Sequence, residues 1–230
     1  MVPEGPRFSA NAASSDRVAE KLRGFGPLGL VAILVILFAG NSLLSGVLVL
    51  LWTRWSRTPW REIGYVRPKS WIASAAAGIV LGAVFKLAMK SVVMPLLGAD
   101  PINRSYHYLA GNAAALPGTL FAVIFAAGFG EETVFRGFLF ERLRMLLGRG
   151  TIAATAIVLI TSAWFALAHF PDQGMDGVKQ AAFTGLAFGS TFAVTRRIWP
   201  IMVAHAAFDV TAVALIYFNL ESRVAHLFFT

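Results

Sequence analysis

The 230-residue sequence has no cysteine. That excludes disulfides, thiolate metal sites and thiol nucleophiles, and a prenylated or palmitoylated anchor on the chain itself. Charge is scarce too: 14% of residues are Asp, Glu, Lys or Arg, against roughly a quarter in soluble domains. Several protease signatures are missing. There is no HExxH, which rules out a zincin-type ligand pair on one helix. Neither a Gly-x-Gly-Asp of the aspartyl type nor a Gly-x-Ser-Gly of the rhomboid type occurs. No internal repeat is visible, which weakens a transporter built from inverted halves.

What takes the place of charge is hydrocarbon. With 57% hydrophobic residues, the chain is composed for lipid. Its net charge of +8 does not describe a nucleic-acid surface, because the basic residues sit in short clusters between apolar runs. Arg54, Arg57, Arg61, Arg67 and Lys69 form one, Arg142, Arg144 and Arg149 a second, and Arg196 and Arg197 a third. The positive-inside rule distributes charge in this way.

Residues 1–25 are polar and are expected to form a mobile tail. Apolar stretches follow at 27–52, 71–97, 117–147, 151–170, 177–195 and 199–220, read here as spans. The expected fold is all-α: a polytopic membrane bundle of about six transmembrane helices around an intramembrane polar site. Two N-terminal spans occupy 26–97, the core 117–220, and a C-terminal tail 221–230. Lys86 and Lys90, one turn apart, are read as snorkelling from the end of the second span. Lys and Arg counts on successive connectors run five, one, three, one, two, which assigns the basic loops to the cytoplasm. The N-terminal tail breaks this alternation: it carries four basic residues, and six spans would place it outside. The compact chain shows no targeting extension and is expected to be bacterial, a multi-pass protein of the inner cell membrane.

A charge centred in a spanning helix costs roughly 2.5–3.5 kcal/mol. Besides the two lysines, the spans hold Glu131, Glu132, Arg136, His169, His205 and Asp209. Glu132 and Arg136 are i,i+4 and can neutralise each other; Glu131 lies about 100° around the helix and faces elsewhere. His205 and Asp209 are again i,i+4, so the carboxylate can orient the imidazole or join it at a common centre. Such residues can be packing glue, but ionisable groups on three helices at once point to a site. Two imidazoles and a carboxylate suit a divalent metal such as zinc, and a further carboxylate could deprotonate its water.

These residues fall into three motifs, in order. Glu131-Glu132-Thr133-Val134-Phe135-Arg136 is EExxxR, Phe165-Ala166-Leu167-Ala168-His169 is FxxxH, and His205-Ala206-Ala207-Phe208-Asp209 is HxxxN/D. The set resembles the CAAX-protease and bacteriocin-processing family of intramembrane endopeptidases over about residues 117–220. The resemblance implies hydrolysis of a peptide bond in a membrane-associated peptide or protein. Glu131 would be the general base, supported by Glu132 and Arg136. His169 and His205 would bind metal or hold the oxyanion, with Asp209 beside His205. Glu131, His169, His205 and Asp209 are then the metal candidates, the metal being zinc, while a metal-free glutamate site is the other form. An Asp where the family often has Asn favours metal. A non-catalytic scaffold or immunity protein, and an ion-coupled transporter, are the alternatives. Anionic lipid is the expected partner of the basic loops, and nucleic acid is not expected.

One geometric condition follows. In a simple up-down bundle His169 and His205 differ in depth by more than about 10 Å. A shared site requires the imidazoles within about 12 Å of each other, and a broken element near 171–178 or 196–201, which is tolerated where it lines a cavity.

Overall fold

In a computed structural model, residues 7–229 are described; their regular structure is helical, with no strand among them. Four helices are long and apolar enough to cross a membrane: α4 (Trp71–Leu96), α5 (Ala113–Leu147), α6 (Thr151–Ala168) and α8 (Trp199–Tyr217). The kinked α7 (Phe170–Thr195) is not one of these four. Small and polar residues lower its hydropathy, and it buries Gly177, Thr184, Gly185 and Gly189 against its neighbours, as suits close packing in lipid.

The expected first span is instead two short helices, α2 (Pro27–Leu37) and α3 (Ser42–Trp55). At 11 and 14 residues they rise roughly 16 and 21 Å, short of the roughly 30 Å hydrocarbon core. The break has a local cause. Gly40 takes φ +91°, and the Asn41 side chain caps α3 by accepting the Leu44 N–H at 2.8 Å, a strong N-cap. The segment is therefore a hairpin that enters and returns.

Its return changes the place of the N-terminus. Residues 7–23 form helix α1 (Arg7–Arg23) where a mobile tail was expected. The Trp52 indole N–H donates to the Leu22 carbonyl at 3.0 Å, Arg142 Nη1 donates to the Arg23 carbonyl at 2.6 Å, and Arg57 pairs with Asp16. α1 thus lies at the same end as the basic connectors. A short helix α9 (Glu221–Ala225) follows α8.

The bundle closes through small residues. A methyl group at Gly82 of α4 would run into the Ala204 carbonyl of α8, and one at Gly130 of α5 into the Ser42 carbonyl of α3. Two aromatic-rich clusters fill the basic half, one around Phe140, Phe188 and Phe192, the other around Val49, Trp52 and Phe138.

Candidate active site

Helix α5 is not a regular α-helix where it carries charge. Its hydrogen bonds widen to i→i+5 over Ala122–Glu131 and again over Thr133–Leu139. Such turns are rare and concentrate at functional sites. Thr133 contributes: its hydroxyl donates to the Phe129 carbonyl at 2.6 Å, the acceptor that a regular turn would give to its own N–H.

Glu132 and Arg136 meet as their spacing requires. Arg136 Nη1 donates to Glu132 Oε1 at 2.8 Å, with both side chains buried. The guanidinium lies over the Phe165 ring at 4.5 Å and near Phe188 at 5.8 Å. The same Glu132 Oε1 accepts the Nδ1–H of His205 at 2.7 Å. This differs from the expectation that Asp209 orients the imidazole. Asp209 Oδ2 stands 3.5 Å from Nε2, while the carboxylate that fixes the ring comes from another helix. An i,i+4 spacing brings two residues to one helix face, but the Nδ1 edge of this ring turns toward α5.

With Nδ1 held, His205 presents Nε2 to open space beside Glu131, whose Oε2 is 3.9 Å away. That oxygen is buried and accepts no hydrogen bond from any described residue. His169 ends α6; its Nδ1 donates to the Phe165 carbonyl at 2.7 Å, leaving Nε2 free. The Phe165 ring lies 4.6 Å from the His169 ring and 6.0 Å from the His205 ring, so the two imidazole centres are within about 11 Å. The chain breaks in both expected windows: Gly174 interrupts α7 at φ +59°, and residues 196–198 are non-helical with Arg196 at φ +54°.

Glu131, His169, His205 and Asp209 line one cavity of about 400 Å³ together with Tyr106 and Gln180. A second cavity of about 370 Å³ borders it and shares Lys86, Asn103, Gln173 and Gln180. Toward the hairpin, Glu131 also lines a third of about 350 Å³, with Asn41, Ser42 and Ser45.

Among the described residues, no three His, Asp or Glu side chains are arranged to hold a metal ion. His205 gives its Nδ1–H to Glu132 and keeps Nε2 toward Glu131 and Asp209, while His169 stands across Phe165.

The lysines also depart from expectation. Neither snorkels: Lys86 and Lys90 are buried. Lys86 Nζ donates to Gln180 Oε1 at 2.7 Å, and Lys90 Nζ pairs with Glu221 Oε1 at 3.0 Å. Phe165 likewise has a place that its motif letter did not convey, as the wall between Arg136 and His169. The i,i+4 spacing of the lysines was the available signal, but facing partners on other helices are invisible to it.

Residues 113–211 match the family model described as Rce1-like, type II CAAX prenyl endopeptidase Rce1-like. No curated protein and no solved structure matches the chain. The matched segment holds EExxxR, FxxxH and HxxxD, and Glu131, Phe165, His169, His205 and Asp209 from these motifs line one cavity within a bundle of membrane-length helices. Over that segment the chain is similar to the Rce1-like family of type II CAAX prenyl endopeptidases, and its apolar helices point to a membrane protein.

Proposed function

We propose that this protein is an intramembrane endopeptidase of the inner cell membrane that cleaves a membrane-associated peptide or protein with water activated by Glu131. One observation carries the reading. Glu131 lines the cavity, and its buried Oε2, 3.9 Å from a ring nitrogen of His205, accepts no hydrogen bond from a described residue. A desolvated carboxylate costs free energy unless something occupies it; a water poised for attack is a fitting occupant.

In this mechanism Glu131 takes a proton from water as the oxygen adds to the scissile carbonyl carbon. The negative charge moves to the carbonyl oxygen, where the protonated His205 ring donates from Nε2. Glu132 and Arg136 fix the orientation of that ring. His169 offers its free ring nitrogen to the same cavity. Glu131 then returns its proton to the leaving amine as the C–N bond breaks.

The test is Glu131→Gln, with cleavage of membrane-anchored peptides followed in proteoliposomes. Cleavage should fall on the order of a thousandfold while the unfolding temperature holds. Undiminished cleavage would overturn the reading, and a phenotype that survives the substitution would mark a scaffold. Metal analysis runs beside it. Stoichiometric zinc, lost in both His169→Ala and His205→Ala, would replace the glutamate-only mechanism with a metal-assisted one.

A further inference from the structure

The basic residues gather at one end of the molecule and the cavity opens at the other. From this we propose that the catalytic cavity opens on the extracytoplasmic face, so that its peptide is presented from outside the cytoplasm. Only the word peptide rests on the protease reading; the orientation does not.

Contacts tie the basic end together. Arg144 Nη1 approaches Glu62 Oε2 at 3.4 Å, Arg196 Nη2 donates to the Glu62 carbonyl at 2.8 Å, and Ile198 N–H donates to the Gly64 carbonyl at 3.0 Å. α1 joins them through Arg57 with Asp16 and through Arg142. This end holds fourteen of the chain's 20 Lys and Arg: four on α1, five in 53–70, three in 142–150 and two in 196–198. The opposite end is built from the 98–112 connector, the start of α7 and the chain after α8. Asp100 N–H donates to Asp176 at 3.2 Å there, Asn103 N–H to Glu221 at 3.1 Å, and Gly111 N–H to the Tyr217 carbonyl at 3.0 Å. It offers Arg104, Lys179 and Arg223 against Asp100, Asp172, Asp176 and Glu221.

Both catalytic-side cavities are lined from this second end, by Asn103, Gln173 and their neighbours, and none of their lining residues comes from 53–70, 142–150 or 196–198. Each Lys or Arg near the anionic cytoplasmic leaflet is worth about 1 kcal/mol, and short-loop Lys/Arg bias sets topology. Fourteen against three is a decisive bias. The hairpin creates it, because an unbroken first span would carry the four basic residues of α1 to the cavity side.

The chain's lack of cysteine makes the experiment clean. Single cysteines replace exposed Thr151 and Thr195 at the basic end, and exposed Ser105 and Ser222 at the cavity end. Cells are treated with a membrane-impermeant maleimide before and after permeabilisation. Ser105→Cys and Ser222→Cys should label in intact cells, and Thr151→Cys and Thr195→Cys at least tenfold less until the membrane is opened. The reverse pattern, or equal labelling of both ends, overturns the orientation. Neither result depends on cleavage, so failure here is distinct from failure of the protease reading.

Lys86 stands in the wall of the same cavities, and we infer that it receives a carboxylate of the bound peptide. The residue is 6% exposed. Of its three donors one goes to Gln180, and the Phe208 ring lies 4.8 Å from the ammonium. The neighbouring cations are paired, Lys90 with Glu221 and Arg104 with Asp100; Lys86 forms no ion pair with a described residue. A desolvated ammonium with open donors takes an anion, and the anion a peptide brings is a carboxylate, from its C-terminus or from a side chain. This deepens the protease reading, so binding is measured without turnover, in the Glu131→Gln variant.

Three probes are compared: a dansyl-tagged apolar hexapeptide as free acid, its C-terminal amide, and the amide with one internal glutamate. The acid should bind at least tenfold more tightly than the plain amide. Lys86→Met should erase that preference and Lys86→Arg keep it; Lys86→Gln serves if Lys86→Met does not fold. Tight binding of the glutamate-bearing amide alone assigns the carboxylate to a side chain. Equal affinity for all three, a preference that survives loss of the lysine, or no binding of any probe overturns the inference.

Discussion

Glu132 is enclosed, its Oε1 shared by Arg136 and His205. Each carboxylate has a buried Oε2 with no donor among the described residues, but Glu131, one residue earlier on the same helix, lines two cavities where Glu132 lines neither. The side chains are identical, so the difference lies wholly in what the helix turn presents to each. The inner carboxylate is spent on geometry, because it cancels a buried guanidinium and sets a ring. The outer one is left with its chemistry unspent.

Breaking the inner carboxylate should have the largest effect on the fold. Glu132→Ala strands Arg136 as an uncompensated buried charge and should cost about 3–5 kcal/mol, seen in unfolding of the detergent-solubilised protein. Glu132→Ala combined with Arg136→Met should recover much of that stability but not cleavage, since His205 has still lost its partner. Next comes the contact that seats this stretch. Gly130→Ala drives a methyl into the Ser42 carbonyl and should cost about 1–3 kcal/mol by overpacking, with cleavage falling as Glu131 shifts.

Asp209→Asn should be milder. Glu132, not Asp209, fixes the imidazole, so cleavage should stay within about tenfold; a loss matching Glu131→Gln would show that Asp209 shares the chemistry.

The smallest effect lies outside the spanning helices, at Tyr65, which shares a hydrogen bond with Thr133 at 2.8 Å. Burial pushes its hydroxyl from 10.0 up to about 12. The folded state holds this proton more tightly than the unfolded chain. The contribution is therefore complete below pH 10 and fades as pH rises toward 12. Unfolding temperatures of Tyr65→Phe should decline less than those of the wild type across that window.

Much of the site was legible in the sequence. The i,i+4 spacing of Glu132 and Arg136 gave their pairing, and the need to level His169 with His205 located chain breaks at Gly174 and 196–198. The hidden parts share one cause: apolar periodicity says which residues are greasy, not which helix faces them. It missed the claim of Glu132 on His205 and the burial of Lys86 against Gln180. The hairpin was hidden differently, since 27–52 reads as one apolar run and only Gly40-Asn41 marks the turn.

That hairpin tip has a consequence for the order of events. Because Asn41, Ser42 and Ser45 border Glu131 on the side away from His205, a peptide filling the larger cavity would not seal the carboxylate from behind. Solvent and substrate would approach by separate doors, so under the proposed mechanism the site could reload its water without first releasing what occupies the front.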